Sequence, residues 1–92
     1  MAFSYSDENF TVVGNLCFVH IKSTTSGSKS FRIPPALADR MLIDDYLVLA
    51  TSYNFDTGSE PIYVEVSDKK IKFSTKGDIS YINFFFPINS NK

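Results

Sequence analysis

The chain has 92 residues, enough for one small domain and too few for two. Hydrophobic residues make up 43% and aromatics 15%, which excludes a disordered chain. Nine basic and ten acidic residues leave a net charge of −1, so a surface built to neutralise a nucleic-acid backbone is not expected. One cysteine, Cys17, permits no internal disulfide, and with one histidine, His20, no zinc cluster is expected. No apolar run approaches a membrane span, and Met1 to Phe10 has no basic-then-apolar leader. The chain is therefore expected to be soluble, made in a cytoplasm and without a membrane partner.

Alanine occurs only at positions 2, 36, 38 and 50, which is poor helix material. Isoleucine, valine, threonine and aromatics supply side chains suited to a pleated, half-buried surface. Residues 1–9 are expected to form a flexible segment, 10–87 the domain and 88–92 a tail. In chain order the expected strands are Phe10 to Val13, Leu16 to Lys22, Phe31 to Ile33, Tyr46 to Tyr53, Ile62 to Val66, Lys70 to Ser74, and Ile79 to Phe86. Turn signals separate them: Gly14-Asn15, Ser23 to Lys29, Asn54 to Pro61, Ser67-Asp68 and Lys76-Gly77-Asp78. Leu16 to Lys22 is apolar on both faces, which predicts a central strand or one covered on both sides. Ile62 to Val66 and Lys70 to Ser74 alternate, placing Ile62, Val64, Val66, Ile71 and Phe73 inward. Pro35 to Leu42 reads as a short helical or 3₁₀-like crossing. The fold class is all-β: one antiparallel sandwich or barrel of about seven short strands.

Residues able to do chemistry are sparse. A thiol–imidazole dyad needs Cys17 and His20 on one side of the backbone, but a separation of three in a strand puts them on opposite faces. Asp56-Thr57-Gly58 matches the triplet of retroviral-type aspartic proteases. However, Asn54-Phe55 stand where that family wants an apolar strand, and Gly77 follows Thr75-Lys76 rather than two apolar residues. The triplet therefore reads as a turn. Asp44 and Asp45 are neighbours that point apart in an extended chain, which suits neither an acid–base pair nor a cation cage. Glycines at 14, 27, 58 and 77 are too dispersed for a phosphate loop. No catalytic residue, metal or cofactor is assigned, and the chain is not expected to be an enzyme.

Two surfaces stand out. Tyr53, Phe55 and Tyr63 flank one turn, and Lys70 and Lys72 lie on the strand after it. Aromatic faces beside lysine donors suit saccharides, acidic polymers or single-stranded nucleic acid. The last strand carries apolar residues on both faces. Ile82, Phe84 and Phe86 are the candidate oligomer face.

The order of these pieces resembles a family. Val13-Gly14-Asn15 leads into an apolar strand, and a polar loop follows. Phe31-Arg32-Ile33-Pro34 then makes a short strand closed by proline, and a long strand and a polar insertion come next. Last are Ile62 to Val66, the Ser67-Asp68-Lys69 turn, Ile71 to Phe73 and a final aromatic strand. From Phe10 to Pro87 this is similar to the distal β-domain of tail-fibre and receptor-binding proteins of phages infecting Gram-positive bacteria. Pro35-Ala36 stands where that family commonly has arginine-proline. The resemblance implies a homo-oligomer, usually a trimer, in the virion tail. Its partners would be other tail proteins and host cell-wall saccharide. A small OB-like barrel acting on single-stranded nucleic acid, or as a regulatory protein, is the alternative.

Overall fold

The computed structural model describes residues 3–54, 58–76 and 79–91. Among the described residues there are seven strands: β1 (Phe10–Val13), β2 (Leu16–Ser23), β3 (Gly27–Arg32), β4 (Tyr46–Asn54), β5 (Gly58–Ser67), β6 (Lys70–Thr75) and β7 (Ser80–Pro87). One turn of helix, α1 (Pro35–Ala38), lies between β3 and β4. All the strands join one antiparallel sheet in the order β1-β2-β7-β4-β5-β6-β3, curled into a half-barrel. The all-β expectation is met.

The curl gives the sheet an inner and an outer face. Strand periodicity sends Cys17, Val19 and Ile21 of β2 to the same side as their partners Phe86, Phe84 and Ile82 of β7. Val64 and Val66 of β5 and Ile71 and Phe73 of β6 complete that interior. Helix α1 adds Leu37 and Ala38 to the core. Beyond it, Met41 bridges to Ile88. Pro34 and Pro35 stop β3, because proline has no N–H for a ladder and its φ suits the first helical turn.

One expectation about faces needs correction. Ile82, Phe84 and Phe86 are 0%, 7% and 0% exposed inside their own chain, so they cannot form an oligomer face. The period of two leaves Tyr81, Asn83 and Phe85 pointing outward instead. Strand β2 is central, between β1 and β7, the first of the two arrangements its sequence allows, and its outer side leaves Phe18 42% exposed.

One further difference is local. β3 begins at Gly27, where the sequence suggested a polar loop, because Lys29 and Phe31 alternate inward between polar residues along β6. The described parts of segments 1–9 and 88–92 are tied to the domain. Phe3 N–H donates to the Ser90 carbonyl at 2.9 Å, Ser6 bridges Thr11, and the Arg40 guanidinium lies 3.9 Å from the Phe3 ring centre.

The β5–β6 turn places Asp68 and Lys69 at φ 54° and 60°, as a two-residue hairpin turn of right-handed strand twist requires. Lys69 has a Cβ that resists this region. Lys69→Gly is expected to raise stability by up to about 1 kcal/mol, read as a higher urea midpoint. An unchanged or lower midpoint would contradict the turn geometry.

Candidate functional site

The β5–β6 ladder is three residues long, from Glu65↔Lys72 to Ser67↔Lys70. Farther along, the two strands diverge. Pro61 is tolerated in β5 because the strand is unpaired with β6 at that point. The divergence opens a groove of about 560 Å³ on the outer side of β5, β6 and β3. Tyr63 stands at its wall, 69% exposed, with Leu47 on the adjacent strand. Ser28, Lys29 and Ser30 of β3 line the far side.

The groove carries both signs of charge. Lys72 Nζ lies 3.8 Å from Glu65 Oε1, and it donates to Ser67 Oγ at 3.4 Å. Ser67 Oγ in turn donates to Glu65 Oε1 at 2.8 Å. Lys29 alternates to the other face of β3, where its Nζ bonds Thr25 Oγ1 and the Ser26 carbonyl. An exposed pair of this kind contributes little to stability, so its members can change partners at small cost. Hydroxyls, a carboxylate, an ammonium group and a tyrosine face are arranged to bind a polar, hydroxyl-rich ligand. They do not form a nucleophile–base set.

The five candidate ligand-surface residues separate as follows. Tyr63 and Lys72 meet in the groove. Lys70 pairs with Ser67 and Arg32 at the turn end and does not line it. Tyr53 is on the same face but four residues along β4 from Leu49, the partner of Tyr63, which is roughly 13 Å away. It belongs to another cluster, with Tyr81 at 6.5 Å between ring centres and Lys22 Nζ 5.9 Å from the Tyr81 ring. Phe55, together with Asp56 and Thr57, lies outside the described residues. The contribution of β3 was missed because Gly27-Ser-Lys-Ser30 carries the residue types of a loop. Its one legible signal was the Ser-Lys-Ser alternation leading into Phe31.

Cys17 is buried on the inner face, while His20 is exposed on the outer face with its Nδ1 hydrogen-bonded to Asn83 Oδ1. The dyad is absent for the reason its spacing gives. Asp44 and Asp45 are exposed residues before β4. Among the described residues no group of three His, Cys, Asp or Glu side chains could hold a metal ion. No described helix is long and apolar enough to cross a membrane.

No family model matches the chain, and no curated protein or solved structure is significantly similar to it.

Proposed function

We propose that the chain is a non-enzymatic structural or receptor-binding module of a phage tail that adheres to host cell-wall saccharide through the β5–β6–β3 groove. The observation that carries the adhesive reading is the meeting of Tyr63 with Lys72, Glu65 and the β3 serines in one open groove. A sugar ring has an apolar face that stacks on an aromatic ring and hydroxyls that exchange hydrogen bonds with just such groups. The tail assignment rests on the order of sequence segments from Phe10 to Pro87, and with it come a virion location, other tail proteins as neighbours and a homo-oligomer.

The nucleic-acid alternative needs free positive charge along a strand. Glu65 beside Lys72 works against that, since a phosphate would compete with a carboxylate already in place.

The test is co-sedimentation of labelled protein with purified Gram-positive cell walls. Wild type is expected to pellet with the walls, and the double variant Tyr63→Ala, Lys72→Ala to lose binding at least about tenfold, the effect of roughly 1.4 kcal/mol. Equal binding by the variant, or none by the wild type, would contradict the groove's role. Tight, salt-sensitive binding of a single-stranded oligonucleotide would favour the alternative.

A further inference from the structure

We propose that two copies of this chain pack face to face through the outer surface of β2, β7 and β4. Register sets Phe18 beside Phe85, Leu49 lines the same cleft as Phe85 from β4, and Leu47 follows Leu49 on the same face. Phe85, Leu47 and Leu49 are 55%, 64% and 63% exposed, and the Phe18 and Phe85 rings lie 5.7 Å apart. Together these four side chains expose on the order of 400 Å² of apolar surface, within the roughly 300–600 Å² of the largest patch on a typical single chain, which is often functional. His20, Asn83 and Thr51 flank them. Their area brings the footprint toward the roughly 800 Å² per partner of a stable interface.

Three features favour a second copy as the occupant. The lining of the cleft between β4 and β7 includes no acid and no lysine or arginine, and Lys22 stands beyond His20, beside Tyr81, so one copy meets another there without like-charge repulsion, and an oppositely charged partner gains little. The apolar side chains form a single patch, and a single patch that associates with itself makes a two-fold, isologous pair. The surface also has a receiving cleft. The β4–β7 ladder runs only from Thr51↔Asn83 to Asn54↔Ser80, although β4 starts at Tyr46 and β7 continues to Pro87. The strands diverge around a cleft of about 450 Å³ between Leu49 and Phe85 that reaches down to Val19 and Phe84 of the core. A facing copy would fill it with apolar side chains and remove water from that seam. The sheet's ends are poorly suited to self-association: Ser6 and Tyr5 cover part of β1, and β3 ends the other side with Lys29 and Arg32.

Leu47 is shared by the patch and the groove wall, so pairing is tested at Phe85 and Leu49, which do not line the groove. Sedimentation equilibrium across a dilution series is the test, with Phe85→Lys and Leu49→Lys as variants and Arg32→Glu at the β3 edge as control. Far-UV circular dichroism and thermal unfolding establish that each variant is folded. A folded variant at these exposed positions leaves the core intact, and Phe85→Lys is still expected to pellet with cell walls. Wild type and Arg32→Glu are expected at twice 10.4 kDa, in low and high salt alike, with both lysine variants at least about tenfold weaker. A wild-type monomer throughout, a trimer, dissociation by salt, or folded lysine variants that still pair would each overturn the proposal. A trimer would do so while leaving the tail reading in place.

Discussion

Phe86→Ala is expected to lower the unfolding free energy by about 3–5 kcal/mol, and Phe85→Ala, one residue away, by less than about 1 kcal/mol. Phe86 is fully buried beside Cys17, Val66 and Ile88 in one core, and losing its ring leaves a cavity that the flanking ladder with β2 cannot collapse. Phe85 stands on the other face with most of its ring in water, so its truncation removes little burial. Urea unfolding of dilute single chains measures both. A domain of this size has only about 5–15 kcal/mol in total, so Phe86→Ala can unfold outright. Phe86→Leu keeps most of the volume and is expected to cost under about 1.5 kcal/mol while remaining folded. Equal losses for Phe85→Ala and Phe86→Ala would mean that the strand's two faces are covered alike.

Alkaline pH is expected to destabilise the fold over a definite window. Burial pushes the Cys17 thiol up from 9.0 to about 12, helped by the nearby Asp7 charge and partly opposed by a hydrogen bond from the Thr11 backbone. Burial also pushes the Tyr46 phenol from 10.0 to about 12, with Cys17 adding to the effect. Below pH 9 both groups keep their protons whether the chain is folded or not, so they add no pH dependence. As pH rises from 9 toward 12, the unfolded chain releases these protons and the folded chain holds them. The unfolded state then binds fewer protons, and stability falls. Each group can contribute up to about 1.4 kcal/mol per pH unit within its window. Urea midpoints across that range are expected to fall less steeply for the double variant Cys17→Ala, Tyr46→Phe than for wild type. Parallel slopes would contradict burial of the two groups. At neutral pH, Tyr46→Phe alone is expected to be neutral or stabilising, since the Tyr46 hydroxyl is buried with no hydrogen-bond partner among the described residues.

What could be read from the sequence follows from how local each signal is. β1, β4 and β6 lie between turn residues and β-branched or aromatic runs, and their bounds agree with expectation to within a residue. Alternation also placed Val64, Val66, Ile71 and Phe73 inward, because one residue decides the face of the next. Where apolar residues fill consecutive positions, as in Asn83-Phe-Phe-Phe86, alternation has no contrast, and the choice of face passes to the partner strand. Here Val19 against Phe84 decided it, and that pairing is more than sixty residues apart in the chain. The groove was half legible for a similar reason. Tyr63 and Lys72 are nine residues apart across one hairpin, whereas Ser28 and Ser30 reach the site only through the β3–β6 ladder. The β4–β7 seam has no local signal, since it arises where a long-range ladder ends.

The sidedness of the sheet underlies both the adhesive groove and the pairing face, and thiol labelling of the Phe85→Cys variant tests it most directly. This chain carries one thiol on each face: Cys17, fully buried, and a new one at an outward position of β7. At a dilution where copies are separate, one equivalent is expected to react at the rate of a free thiol. The second, Cys17, is expected to react only as fast as the domain opens, as it does in wild type. Two fast equivalents, or two slow ones, would contradict a sheet with a closed inner face and an open outer one.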